Sequence, residues 1–466
     1  MTLAEALARF AADTTFAQLP ADVVDSVELR VLDTLGICLA STSFGLADGV
    51  SELVGCWAGQ PEATPIGGPV GARYPAPNAA LVNGTLAHSL DFDDTHLPSV
   101  LHPSATIVPA VLAMAEATQS TGAHALSAMA IGIELTVRVG MGGYLADKGN
   151  LFFERGWHAT SICGTLGAAA AGARLLGLDA GGILNALGIA ASMSGGVIEA
   201  NRSGGTVKRL HCGWAAHAGL TAALLARGGF SGPSTIFEGR FGFFNAFLDG
   251  QFDPAAIVDR LGERWEVPGI FFKPYPANHY THAGIDAALA LRSEVDLAAI
   301  DRIELGCAAS ALRTIGEPRE EKIHPRSGYH AQFSGPFTVA AALLGGGGLG
   351  VWYDDFTDAR VHDPRRLALA ERIETFVDPE CDRVFPTAFP AVLRIHQRNG
   401  DVRERRVMHN RGGPANPLSQ SELEHKFRLN AERVLSPEAT QRLAEAVYDL
   451  RRADSVSPLL ALTARP

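Results

Sequence analysis

The sequence predicts a mainly α protein with a smaller α+β domain, and three observations point there. Helical spacing and small apolar residues run from residue 3 to about 265. Alternating strand patterns begin only after about residue 268, and helical spacing returns over 406–466. The chain has 466 residues, 47% of them apolar and 19% charged, a composition that buries a sizeable core. Its length exceeds what one core usually serves, so two domains are expected. We place a helical domain at 1–267, an α+β domain at 268–405, and C-terminal helices at 406–466 that complete the first domain.

The N-terminal MTLAEALARFAADTTF reads as an amphipathic helix with acids in it. It has neither the apolar run of a signal peptide nor the Arg/Ser bias of a transit peptide. After Pro20, Val24, Val27, Val31 and Leu35 recur at +3, +4 and +4, one face of a helix. Segments 105–118, 121–140, 158–175, 180–193 and 213–228 are rich in Ala, Leu and Gly, which lets neighbouring helices approach closely. In the second region, Ile303, Leu305 and Cys307 alternate, as do Ile373, Thr375 and Val377. Two further alternating runs flank Asn399-Gly400, the signal of a two-residue hairpin. Helical stretches at 282–292 and 331–344 lie between the strands. The GGGG at 345–348 follows an apolar helix and lacks the surroundings of a phosphate loop, so it reads as a helix stop.

Net charge is −11, from 39 basic and 50 acidic residues, with no long run of one sign. That argues against nucleic-acid and membrane-surface binding, and requires any anion site to concentrate positive charge locally. The most apolar region, 164–197, is broken by Arg174, Asp179 and several glycines, so no membrane span is expected. The six cysteines are scattered without metal spacing and read as reduced thiols, which suits a cytoplasmic protein.

Four stretches carry chemistry. HSLDFDDTHLPSVLHPSA (88–105) holds Asp91, Asp93 and Asp94 with His88, His96 and His102. If the preceding helix continues, His88, Asp91 and Thr95 share one face, and Pro98 and Pro103 force an irregular loop bearing His102. A metal held by His88, Asp91 and His102 is chemically sensible but matches no strong spacing; a solvated helix end explains one or two of the acids. RGWHATSICGTLGAAAA places His158 at the start of an Ala-rich helix, where a neutral imidazole is favoured over a charged one. NRSGGTVKRLHCGWAAHAGL is a glycine-bearing loop followed by Lys208, Arg209 and His211. FFKPYPANHYTHAGIDAAL opens the α+β domain with Lys273, Asn278, His279 and His282. Taken together, these donors suit a small, multiply charged anion.

NGTLAHSLDFDDTHLPSVLHPSATIVPAVLAMAE, GWHATSICGTLGAAAA, VKRLHCGWAAHAGL and KPYPANHYTHAGIDAALAL resemble the MmgE/PrpD family, in family order and over nearly the whole chain. The family includes 2-methylcitrate dehydratase, cis-aconitate decarboxylase and iminodisuccinate epimerase. The resemblance implies a large all-helical domain closed by the C-terminus, a smaller α+β lid, a homodimer, and no metal or cofactor. The decarboxylase's active-site Asp and His fall on Asp91 and His102, with one extra residue between them here. Its next His falls on His158, and its two lysines on Lys208 and Lys273. Two positions depart: a family His is Asn278 here, and a lid-helix Tyr appears as Phe337.

The chemistry this implies is proton abstraction and donation next to a carboxylate. Dehydration, decarboxylation and epimerisation all pass through a carbanion or enediolate that preorganised donors stabilise. His102 is the expected acid–base group, oriented by Asp91. Asp91, His102 and Lys208 form the expected catalytic set, with His158, Lys273, Asn278, His282 and Phe337 binding substrate. Because Lys273 begins the second domain, both domains are expected to contribute. Dehydration of the 2-methylcitrate type is favoured and epimerisation comes next, since the two departures disfavour cis-aconitate decarboxylation. The competing readings are a metal-dependent hydrolase using Asp91, Asp94 and His102, and a non-catalytic carboxylate-binding protein.

Overall fold

The structure is a computed structural model that describes residues 1–57, 59–146, 148–200 and 205–465. Most of the NRSGG loop, residues 201–204, therefore lies outside the described residues. The chain is mainly helical with a small α+β region, and it divides into two compact units, Met1–Ile270 with Leu423–Pro466, and Phe271–Glu422.

In the first unit the helices Ser104–Ala117, Gly122–Gly142, Ala180–Ala191 and Leu210–Arg227 pack around Ala159–Leu175, and Ala76–His88 packs in turn on Ser104–Ala117 and Leu210–Arg227. The central helix carries Gly164, Gly167 and a run of alanines at 168–171, and nearly all its residues are buried. Each such side chain covers little area, so stability depends on how closely the backbones approach. A Cβ added at Gly219 would sit 2.6 Å from the Ala168 Cβ and 2.6 Å from the Thr165 carbonyl oxygen. On the neighbouring contact, a Cβ at Gly84 would sit 2.7 Å from the Gly213 Cα. The helices Ala76–His88 and Leu210–Arg227 thus touch backbone to backbone, bringing the end of one near the start of the other. Among the described residues, only Gly122–Gly142 is long and apolar enough to cross a membrane, and 94% of its apolar window is buried in the protein.

The second unit holds a four-stranded sheet in the order Ile373–Val377, Ile300–Cys307, Ala391–Gln397, Val402–Val407. The first pair is parallel and the others are antiparallel. Ile303, Leu305, Ile373, Leu393 and Ile395 are buried with the helices His282–Leu291 and Gly335–Leu344, while the outer strand carries Arg403, Glu404, Arg405 and Arg406. A charged edge of this kind resists pairing with other chains. Two local expectations change. The hairpin loop is three residues long, since Gln397 N–H donates to the Asp401 carbonyl, and Gly400 takes the left-handed position at φ 91°. The stretch at 331–344 is two helices, Gly328–Ala331 and Gly335–Leu344, because the Ser334 hydroxyl caps the second by accepting from the Phe337 N–H at 3.0 Å. Gly345 ends that helix in the left-handed region at φ 94°, as the glycine run predicts.

Candidate active site

The Ala76–His88 helix stops at His88. Asp91 then adopts φ 52°, a left-handed conformation that Asp tolerates better than most residues. The chain turns there, so His88, Asp91 and Thr95 do not share a helix face as the sequence suggested. Three carboxylates within four residues now point to three different partners, and every residue from His88 to Leu97 is buried. Asp91 Oδ1 pairs with Lys208 Nζ at 2.9 Å, and Asp93 Oδ2 meets His88 Nδ1 at 2.6 Å. Asp94 Oδ2 pairs with Arg30 Nη1 at 2.8 Å and also accepts from the Ser104 hydroxyl, while its Oδ1 accepts from the Ser104 N–H. Arg30 further donates to the carbonyls of Ile270 at 2.8 Å and Val267 at 3.2 Å. An arginine stays charged when buried, so Asp94 is an ion-paired anchor for the helix that starts at Ser104.

A tight hairpin follows. His96 N–H donates to the Leu101 carbonyl at 2.8 Å, and Val100 is forced to φ 52°. A β-branched residue there costs on the order of 1–2 kcal/mol, strain that the surrounding packing must hold. The hairpin delivers His102, whose Nδ1 lies 2.5 Å from the Asp94 carbonyl oxygen. A carbonyl only accepts, so Nδ1 carries the proton and the neutral ring has its lone pair on Nε2. The Asp94 backbone carbonyl thus holds this tautomer, and Asp91, expected to orient the ring, pairs with Lys208 Nζ.

His158 stands at the N-cap position of the Ala159–Leu175 helix without a side-chain capping bond, and its backbone N–H donates to the Gly196 carbonyl at 2.9 Å. Lys208 sits on the short turn Val207–Arg209, and His211 in the first turn of Leu210–Arg227. These elements gather four imidazoles. The rings of His88 and His102 are 5.3 Å apart, His88 and His158 5.4 Å, and His158 and His211 5.0 Å. His158 Nδ1 and His211 Nδ1 share a hydrogen bond of 2.9 Å. Burial, reinforced by His88 and Lys208, pulls the His158 imidazole well below its usual range. The same causes bring His211 down to about 4. Both rings are neutral near pH 7, as the helix-start position of His158 suggested. His88 Nε2 and His158 Nε2 are buried without a hydrogen-bond partner among the described residues. Buried polar atoms left so are unusual and mark places where a ligand could supply the bond.

The sequence grouped His88, Asp93 and His211 with the site but gave them no committed role. Their signal is spatial, since the His88–Asp93 contact crosses a helix end and His158–His211 joins two separate helices. The metal set Asp91, Asp94 and His102 does not assemble, because Asp94 is spent on Arg30 and Ser104. Among the described residues, the group whose ligand atoms lie within 4.8 Å of one another is His88, Asp93 and Cys212. Its N, O and S donors suit a borderline ion. However, His88 and Asp93 already bond each other, and burial raises the Cys212 thiol well above its usual range, so a metal would have to displace protons.

The remaining expected residues lie in the second unit. Lys273 is buried. The Asn278 carboxamide oxygen accepts from the Tyr280 N–H at 3.1 Å and caps the turn His279–Thr281. His282 Nε2 meets the Ala277 carbonyl at 3.1 Å, and His279 Nε2 meets Asn410 at 3.0 Å. Phe337, expected to touch substrate, is fully enclosed in the core of this unit, its ring 6.1 Å from that of Phe356.

Comparison with known proteins agrees with this architecture. The MmgE/PrpD N-terminal domain matches residues 5–255 and the MmgE/PrpD C-terminal domain matches residues 275–451. The chain is 30% identical over 454 residues to the cis-aconitate decarboxylase of Homo sapiens, covering 95% of this chain and 91% of that one. It is 28% identical over 466 residues to the cis-aconitate decarboxylase-like protein oryM of Aspergillus oryzae, covering 96% and 94%. A cis-aconitate decarboxylase of Aspergillus terreus is 26% identical over 402 residues, covering 82% and 80%. With both family domains present in order along nearly the whole chain, this protein belongs to the MmgE/PrpD family.

Proposed function

We propose that this protein is a lyase of small tricarboxylic acids that moves a proton at a carbon beside a carboxylate, and that dehydration of a 2-methylcitrate-like acid is its preferred reaction. The observation that carries the proposal is His102. Its ring is held as the Nδ1–H tautomer by the Asp94 carbonyl, beside neutral imidazoles and the Lys208–Asp91 pair. His102 Nε2 takes the proton from the carbon next to a carboxylate, and the electron pair moves into that carboxylate as an enediolate. Collapse of the enediolate expels the hydroxyl on the adjacent carbon, which leaves as water with the proton that His102 Nε2 now carries. Lys208 and the neutral imidazole N–H groups stabilise the developing charge. Asp91 holds Lys208 in place. This route needs no cofactor and uses only the protein's own donors.

The relatives' names favour a second reading, decarboxylation of cis-aconitate. There the bond to one carboxylate breaks, carbon dioxide leaves, and the remaining carbanion takes a proton. Purified protein incubated separately with 2-methylcitrate, citrate and cis-aconitate separates the two readings. Water loss from a hydroxy acid is the expected result. Carbon dioxide release from cis-aconitate at a higher kcat/KM would select the second reading, and no turnover of any of the three would reject both.

A further inference from the structure

The helix Gln420–Ala431 buries Leu423, Phe427, Asn430 and Ala431 along one face, and Lys426 lies on that face too, fully enclosed. A lysine buried so completely needs compensation. Its Nζ meets Asp33 and Phe92 of the first unit. Asp33 Oδ1 lies at 2.7 Å, the Phe92 carbonyl oxygen at 3.1 Å, and the Phe92 ring centroid at 3.7 Å. One ammonium thus grips a single residue by both its peptide and its ring, a hydrogen bond and a cation–π contact together. Phe92 stands between Asp91 and Asp93, the two carboxylates that hold Lys208 and His88.

Asp33 comes from the helix Ala21–Ser43, which also supplies Arg30 to Asp94. Two buried cations therefore fix the 91–94 turn, Arg30 at the Asp94 carboxylate and Lys426 at the Phe92 peptide. The packing leaves little slack, since a Cβ at Gly36 of that helix would sit 3.3 Å from the Phe427 Cα. A turn with Asp91 in the left-handed region has no regular backbone ladder to fix it, so its geometry depends on such outside contacts.

We propose that Lys426 is a positioning residue that, through Phe92, sets where the Asp91 and Asp93 carboxylates stand in the site. The inference rests on the lyase reading for its kinetic consequence, but its geometric consequence is independent of that reading. Lys426→Met alone would strand the Asp33 carboxylate in the core, so the test pairs Lys426→Met with Asp33→Asn and compares the double variant with Asp33→Asn alone. Lys426→Arg serves as the conservative variant. The readouts are melting temperature, kcat and KM on 2-methylcitrate, and the ring nitrogen resonances of His88, which report its bond to Asp93.

The double variant should melt near Asp33→Asn yet lose about 10- to 100-fold in kcat with little change in KM, as misplaced reacting groups do. The His88 resonances should move, and Lys426→Arg should recover most of the rate. A double variant with kcat within twofold of Asp33→Asn and unmoved His88 resonances would overturn the proposal. If wild-type protein turns over none of the three acids, the lyase reading fails by itself, and the His88 resonances still decide whether Lys426 positions the turn.

Discussion

The His102 tautomer is held by the Asp94 backbone carbonyl, which a side-chain substitution at Asp94 leaves in place. That makes the His102 ring itself the decisive test of proton transfer. His102→Gln keeps a donor for the Asp94 carbonyl but has no titrating nitrogen, and should lower kcat by ~10²–10⁴. Lys208→Met should cost ~10²–10³ in kcat by removing a donor to the developing charge. It also strands Asp91, so melting curves must accompany the kinetics. Wild-type-like turnover in either variant would remove that residue from the mechanism. A pH effect follows from His211. In the unfolded chain this ring takes up a proton near 6.5, whereas in the folded chain it does so only at about 4. Between those values the unfolded state binds more protons, so His211 makes stability fall as pH drops from about 6.5 to 4. Its contribution, discounted for partial exposure, is on the order of 2 kcal/mol. Other buried groups titrate too, Glu134 with the opposite sign at about 7, so the difference between wild type and His211→Gln is the measurement. Urea midpoints should fall more steeply with acid in the wild type than in the variant.

At the scale of the element, the site depends on how closely helices approach. Gly213 faces Gly84, and a Cβ there would overlap the Leu81 carbonyl oxygen and the Thr85 hydroxyl. Gly213→Ala should therefore push the Ala76–His88 helix away, costing about 1–3 kcal/mol and separating the end bearing His88 from Lys208 and His211. A thermal melt reads the first effect and kcat the second; an unchanged melting temperature would show that the helices yield without cost. Elements of this kind were legible in the sequence. The apolar spacing of Val24 to Leu35, the alanine runs and the alternation of Ile303, Leu305 and Cys307 each depend on local period, and each gave a helix or strand near its expected limits. The turn at 91–94 was not legible, because Asp91 leaves the helix through a positive φ that no periodicity encodes. Nor could spacing show that the Asp94 carbonyl would accept from His102. Lys426 hid inside SELEHKFRLNAERV as one basic residue in a polar helix, since burial of a single charge has no sequence signature.

For the molecule as a whole, the question is how an acidic protein selects one acid among similar ones. Among the described residues, the buried cations of the first unit are matched by carboxylates: Arg30 by Asp94, Arg138 by Glu134, Lys208 by Asp91 and Lys426 by Asp33. A substrate carboxylate entering beside Lys208 therefore competes with Asp91 rather than meeting uncompensated charge. Decarboxylation makes the heavier demand, because one carboxylate must be held twisted and poorly solvated while the others stay anchored, and protonation must follow at a chosen carbon. The second unit offers Asn278 where the resembling decarboxylase has a histidine. Its side-chain oxygen caps the His279–Thr281 turn, and a carboxamide cannot pass a proton at any pH near neutrality. Phe337 adds no hydroxyl and is buried among apolar residues of the second unit. Dehydration needs the proton chemistry of His102 and a leaving hydroxyl, and asks less of those two positions. Purified protein given cis-aconitate should form itaconate with a kcat/KM at least about tenfold below that for water loss from 2-methylcitrate, the margin one lost proton-transfer group gives at the low end. Asn278→His should raise the itaconate rate. Efficient itaconate formation by the unaltered protein would mean that another group moves the proton, and dehydration would then lose its claim as the preferred reaction.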